Sequence, residues 1–490
     1  DIPSGAIGAG PLPDSAYRAQ MQFTGASGHY LRPMPPLVNG AGSATLTGRR
    51  FELQLDSGVV LEDMQVSEGK FVLENTHLPD KNGDVSLTLN GSMTRSLQLL
   101  DYQPLGYPSK FGIDPDAIGG EAQTRVRLQV PIRDKTQARD IRFDIASDIH
   151  GLRFPGLLNG IALEQGELSL KVNNKGLEAA GSGQLLDVPA ELSWTEAFNA
   201  GKGPSSHYTA RASADERQLE ALGFPTAGLI SGPALLAVEM WGRGAKIAGG
   251  KVIGDLKDAE LIAKPISWRK PKGKAARIAF DFVLPEGEGA KLDKLQLSGD
   301  AIDVAGRIAF KIKGPPEFVS LKRLALGPNN SLSGEARLLK GGAYAIAVRG
   351  DKADISETMK DISGSGGVTE EQSKGLAFEL DAQLKQVVLR QGSAINDVVA
   401  QGSFDGDDFT RLGVDGNFGP GKGMALRLEP GTSGNRTLSV VSLDAGKMLY
   451  GMDLFDSGIG GEFKLSAEFL DTAPRSPKQV SHVRVQYPNL

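Results

Sequence analysis

Cysteine is absent from all 490 residues, which excludes disulfides, thiolate metal sites and cysteine nucleophiles. The absence suits an oxidising compartment, where stray thiols are a liability. Long apolar runs are missing too. The best stretch, "GPALLAVEMWG", is interrupted by Glu239, well short of the 18 or more apolar residues of a spanning helix. Charge of one sign is not in excess: the net charge is −5 with acids and bases interspersed, so there is no global electrostatic reason to expect nucleic acid. Aromatic residues are only 6%. The chain opens on Asp1 without the charged and apolar segments of a secretion signal, and it is expected to be a processed or excised portion of something longer.

Glycine, by contrast, is plentiful. Its 63 residues are roughly twice the usual share of about 7%, and without a Gly-X-Y period they suggest many turns between strands. Period-two alternation dominates the rest. "RFELQLDSG" puts Phe51, Leu53 and Leu55 on one face, "DVSLTLNG" does so with Val85, Leu87 and Leu89, and "TRVRLQVPI" with Val126, Leu128 and Val130. "RIAFDFVL" repeats the pattern with Phe280 and Phe282. These read as half-buried antiparallel strands with one apolar and one polar face. Helix signals are few. "SADERQLEALGFP" offers Ser213 or Asp215 as N-cap and Gly223 then Pro225 as a stop, while "SMTRSLQLLDYQP" and "DISETMKDIS" are weaker.

The segments "SADERQLEALGFPTAGLISGPALLAVEMW" and "SLDAGKMLYGMDLFDSGIGGEFKLSAEFL" align without a gap. Each reads as an Asp-initiated helical turn, a loop, then Ile, a small residue, Gly and a new strand. A looser copy contains Asp101 and Ile118 to Gly120. At Gly120, Gly232 and Gly461 the sheet is expected to resume through a backbone entry that a side chain would obstruct. This is an irregular internal repeat, unlike the fixed period of a solenoid.

Nominal chemistry motifs fail their context tests. "GNFGPGKG" nearly matches a phosphate loop, but Gly423 stands where a hydroxyl is needed and a strand pattern follows, so a hairpin turn is expected. The acids of "FDGDDFTRLGVDG" lack the twelfth-position Glu of a calcium loop. His29, His77, His150, His207 and His482 show no ligand spacing. "KPISWRKPKGKAAR" sets Lys264, Arg269, Lys270, Lys272, Lys274 and Arg277 around Trp268. It reads as a solvated loop over a tucked Trp268 or as a contact for anionic head groups.

Several stretches together resemble the AsmA-like family of Gram-negative envelope proteins, in its YhdP-like branch. They are "SLQLLDYQPLGYPSKFGIDPDAIGGEAQTRVRLQVPI", "LNGIALEQGELSLKVNNKGLEAAGSGQLLDVPAELSWTEAF", "DLKDAELIAKPISWRKPKGKAARIAFDF" and the Asp444 to Gly461 unit. The third carries Asp255, Ala259, Leu261, Trp268, Lys270 and Gly273 in the family's order. The family's N-terminal membrane anchor has no counterpart here, and the resemblance ends near Asp471.

The resemblance implies a mainly β fold, an elongated, curved antiparallel sheet (a β-groove, taco-like) with a few short helices at strand breaks. Four β-blocks are expected, 1–120, 121–232, 233–360 and 361–490, with helices near 92–101 and 215–222. It also implies a non-enzymatic, periplasmic bridge-like lipid-transfer segment that needs no cofactor or metal and carries phospholipid between the two membranes. Tethering to the inner membrane would come through sequence missing here, with envelope proteins as further partners and no nucleic acid. The groove candidates are Phe51, Leu53, Leu55, Val85, Leu87, Leu89, Val126, Leu128, Val130, Phe280 and Phe282. About two dozen strands have too few helices to cover them; acyl chains supply a cover, at about 0.8 kcal/mol per buried CH₂. Alternatives stay open: a closed β-sandwich core, an envelope scaffold that binds protein rather than lipid, and a glycan hydrolase, for which no paired carboxylates stand out.

Overall fold

A computed structural model describes residues 17–469 apart from 31, 104–105, 111–112, 134–139, 159, 224–225, 227, 245, 313, 359–375, 432–434 and 453–459. The chain is mainly β. Twenty-five of its strands belong to one sheet and three short ones to another. Two compact units are distinguished, Asp1–Phe224 with Leu236–Gly249, and Pro225–Leu235 with Gly250–Leu490.

The first unit is a meander in which every strand pairs antiparallel with the next. Its strands are β1 (Arg18–Gly28), β2 (Leu37–Thr47), β3 (Arg50–Val60), β4 (Met64–Glu74), β5 (Lys81–Ser92), β6 (Gly119–Ile132), β7 (Arg142–Leu158), β8 (Ile161–Asn173), β9 (Gly176–Leu185), β10 (Val188–Ala197) and β11 (Ser206–Ala214). Short turns, rather than crossovers, join most of them, as antiparallel pairing permits. The strands β13 (Ala234–Arg243) and β14 (Lys246–Asp255) follow β12 (Ile230–Ser231).

In the second unit β12, β15 (Glu260–Ala263) and β16 (Trp268–Lys270) make the small sheet. The large sheet continues with β17 (Ala276–Val283), β18 (Lys291–Gly299), β19 (Ile302–Phe310), β20 (Pro316–Leu326), β21 (Ser331–Leu338), β22 (Tyr344–Asp354), β23 (Phe378–Val388), β24 (Ala394–Phe404), β25 (Phe409–Asn417), β26 (Gly423–Pro430), β27 (Arg436–Ser442) and β28 (Phe463–Phe469). All neighbours are antiparallel except β22 and β23, which run parallel. A parallel pair needs a long connection, and 23 residues, 355–377, separate these strands.

Helices are short: Met93–Asp101, Tyr107–Lys110, Glu216–Ala221 and Ala445–Gly451. Each begins where a polar side chain satisfies the orphan amides of a first turn. Ser92 accepts from Arg95 N, Asp215 forms a reciprocal capping box with Gln218, and Asp444 accepts from Lys447 N. Asp101 differs from its repeat partners. It ends its own helix and accepts from Ser109 N (2.9 Å) and Ser109 Oγ (2.5 Å), so it caps the next helical turn from eight residues away. The strand-restart glycines all have left-handed backbone, with φ of +118° at Gly120, +94° at Gly232 and +86° at Gly461. A Cβ on Gly120 would lie 3.0 Å from both His150 O and Leu152 Cα. Gly461 and Gly460 also offer their carbonyls to Ala445 N and Gly446 N, which closes the Asp444 turn onto the resumed sheet. Ile459 lies outside the described residues.

The fully buried cores sit beneath these helices. Ile118, Ala122, Ile149, Leu152 and Leu163 gather under Met93 and Leu97, while Leu55, Val60 and Val66 meet Leu99. Val387, Leu389, Ile395, Val398, Phe418 and Val440 pack with Met448. Each core therefore occupies one end of its strands.

Candidate functional site

Strand register places apolar side chains in rows that run across the strands. In the second unit one row is Phe282, Leu292, Ile308, Val319, Ala336, Ile346, Leu380, Gly402, Leu412, Leu428, Leu438 and Ala467, each opposite the next from β17 to β28. At about 4.8 Å between strands, such a row is on the order of 50 Å long. A second row lies beside it: Leu295, Gly306, Leu321, Gly334, Val348, Ala382, Ala400, Val414, Leu426, Val440 and Leu465. No polar side chain interrupts either.

The first unit has equivalent rows. Met21, Ala44, Leu53, Phe71, Val85, Leu128 and Phe143 succeed one another from β1 to β7. Alongside run Ala19, Leu46, Phe51, Leu73, Gly83 and Val130. Leu87, Val126, Ile145, Val172 and Leu177 carry the face on to β9. Leu89 faces Val66 and Thr124, and Leu55 faces Gly42 and Gly69. The register thus brings nine of the sequence candidates onto one face of the first unit. Phe280 and Phe282 share the trough face of the second, Phe280 at a β-bulge.

Solvent reaches these rows. In the long row of β17 to β28 only Gly402 and Ala467 are buried, and the other members are half-buried. Leu55 is buried at 8% exposure, and the remaining ten sequence candidates are half-buried. Inward faces of a packed β-sandwich interdigitate in a core about 10 Å thick, and residues in such a core are buried nearly completely. The apolar faces here are instead shallow troughs, half-buried along the rows and fully buried in the clusters under the helices and at further positions such as Ile302, Val304 and Leu326.

Glycine does more here than make turns. A Cβ on Gly306 would come 2.3 Å from Ser320 O and 2.8 Å from Leu321 Cδ2, and one on Gly350 would lie 2.8 Å from Leu332 Cδ2. Gly58 lies under Leu37, Gly69 under Leu55 and Gly83 under Phe71 in the same way. Each of these mid-strand glycines is roofed by a large side chain from the neighbouring strand, which levels the floor of the trough at that point. Sequence pattern alone pointed these glycines to turns; their cross-strand partners become visible only with the register.

The strand ends opposite the helices are aromatic. Phe378 and Phe404 stack at 5.1 Å between centroids, and Phe409 meets Phe404 edge-on at 5.3 Å. Tyr344 donates to Pro316 O at 2.6 Å, and its phenol is pushed up by burial. In the first unit Trp194 stacks on Tyr208 at 5.9 Å. Beside them Glu196, only 7% exposed, accepts from Ser206 Oγ at 2.5 Å. Rings and hydroxyls of this kind suit a boundary between an apolar and a wet zone.

The other sheet face is polar and laced with ion pairs. Glu52 meets Lys70 at 2.9 Å and Arg50 at 2.7 Å, and these hydrogen bonds lower its carboxyl to about 2. Arg125 pairs with Asp148, Arg153 with Glu164, Lys294 with Asp281 and Arg427 with Asp415.

The remaining motifs resolve into structure. Gly416 to Gly423 covers the end of β25, the turn from Phe418 to Lys422 and the start of β26, closed by Phe418 N to Lys422 O. Asp405 accepts from Asp407 N and Asp408 N, an Asx-type turn. Among the described residues no group of three His, Asp or Glu is arranged to hold a metal ion, and no helix is long and apolar enough to cross a membrane. His482 lies outside the described residues. In the basic loop Arg269 pairs with Glu260, and Trp268 lies against Gly327. Lys270 is buried, and its ammonium donates to the carbonyls of Lys257, Ala259, Pro271 and Lys274. It is a staple that closes the loop, and its desolvation lowers its pKa. No family model matches this sequence, and no curated protein matches it.

Proposed function

We propose that the troughs carry the acyl chains of phospholipids, in a lipid-transfer protein of the AsmA-like kind working in the periplasm between inner and outer membranes. The observation that carries this reading is the long row from Phe282 to Ala467, twelve strands wide, apolar throughout and half open to solvent. Exposed apolar patches of this extent mark interaction surfaces in soluble proteins. An extended row of Leu, Ile, Val and Phe without polar anchors fits a ligand that is itself long, apolar and chemically repetitive. Each CH₂ leaving water contributes about 0.8 kcal/mol wherever along the row it lies, so a chain can shift along the floor without losing a specific contact. The resemblance in sequence favours the same reading. Such transfer needs no acid, nucleophile or cofactor. The aromatic strand ends fit the level of the head groups, and the paired charges of the opposite face fit water.

The test is native mass spectrometry with lipid extraction on protein purified without detergent. Co-purifying phospholipid is expected, and it should be lost when Leu87 and Leu128 are changed to Asp while circular dichroism is unchanged. A lipid-free protein of equal stability would overturn the reading and favour a protein-binding envelope scaffold.

A further inference from the structure

On the polar face of the second unit, several arginines are neutralised. Arg323 pairs with Asp303 at 3.0 Å, Arg349 with Asp381 at 2.8 Å and Arg427 with Asp415 at 2.6 Å. Arg307 and Arg337 are not, for among the described residues neither forms an ion pair. Both guanidinium groups lie 5.3 Å from the centroid of a single ring, Phe318. Register explains the convergence. Phe318 on β20 stands directly opposite Arg337 on β21, while Arg307 on β19 stands opposite Ser320, one same-face position along.

These residues line an open depression of about 480 Å³ together with Lys311, Glu317 and Leu338. Three cations thus face one carboxylate. Lys291, ion-paired with Glu288 at 2.6 Å, has its pKa raised by Glu288 and to a smaller extent by Glu317, and the nearby Glu335 accepts from Ser320 Oγ at 3.1 Å.

We propose that this depression is a binding site for a phosphate-type oxyanion. Cation–π contact at an exposed ring is worth only about 0.5–1 kcal/mol, which leaves the two guanidinium groups repelling each other and Lys311. A bound dianion removes that repulsion. Contact with the ring leaves the guanidinium N–H groups available, and a guanidinium matches a phosphoryl group bidentately in a way an ammonium cannot. The depression lies on the face opposite the trough rows, so the inference stands apart from the lipid-carrying reading.

Isothermal titration calorimetry with inorganic phosphate, and flotation with phosphatidylcholine vesicles with or without phosphatidic acid, test it on the full chain. Wild type is expected to bind phosphate, the phosphatidic acid vesicles, or both, more weakly as salt rises. Binding to free phosphate assigns the site to soluble phosphoryl compounds; vesicle binding alone assigns it to a lipid head group. In either case Arg307→Ala with Arg337→Ala should weaken binding at least tenfold, and Arg307→Lys with Arg337→Lys, which keeps the charge, should fall between. Circular dichroism checks that these exposed substitutions leave the fold intact. The proposal is overturned if wild type binds neither probe, if the double alanine variant binds as wild type does, or if the lysine variant equals wild type.

Discussion

Replacing Leu428 with Asp separates an open trough from a closed core by magnitude. Leu428 sits in the long row between Leu412 and Leu438, is half-buried, and lies outside the buried cluster around Val398. Fully burying a leucine contributes about 1.5–3 kcal/mol, so a half-buried one contributes about 1–1.5 kcal/mol. If water reaches the site the new carboxylate stays hydrated, and the loss stops near that figure. Val398, at 4% exposure in the same strand system, is the comparison. Val398→Asp loses its own transfer energy and also buries a charge, a change on the order of 4 kcal/mol or more. At roughly 2–4 °C per kcal/mol for a unit of this size, the expected falls in melting temperature are about 2–6 °C for Leu428→Asp and over about 8 °C for Val398→Asp. Protein extracted free of lipid is the right material, because a bound ligand shifts the melting temperature by itself. Equal, large losses for both variants would refute the open trough.

Two further outcomes follow from the same geometry. Gly306→Ala should destabilise by about 1–3 kcal/mol, because its Cβ would meet the Ser320 backbone carbonyl. Gly423→Ala, with nothing within 4 Å and ordinary φ, should be neutral or gain about 0.4–1 kcal/mol; thermal unfolding distinguishes them, and hydrogen exchange should localise the first to β19 and β20. Glu52, held at about 2 by Lys70 and Arg50, has a folded pKa below its unfolded value of about 4.3. Its contribution to stability is therefore present above about pH 4.3 and is lost as pH falls toward 2. Carboxyl titration by NMR should find this low value, and Glu52→Gln should flatten the acid limb of stability between those pH values.

The period-two alternation of stretches such as "RFELQLDSG" and "DVSLTLNG" by itself determined strands with one apolar face, because side chains on a pleated backbone must point to opposite sides. Asp215 and Asp444 likewise announced their helices, since an N-cap acts on amides only a few residues away. Such local rules can be read from neighbouring residues. Asp101 escaped them because its partner, Ser109, lies beyond the turn it was expected to start. What only the tertiary structure decided is non-local. Register chooses which leucine roofs which glycine, and a one-residue slip would turn every row to the other face. Pairing of β19, β20 and β21 likewise brings Arg307 and Arg337 onto Phe318 from separate strands. Whether an apolar face is buried or left open depends on what lies above it. Alternation reads the same in a sandwich core and in a trough, and the half-buried rows of β17 to β28 tell them apart.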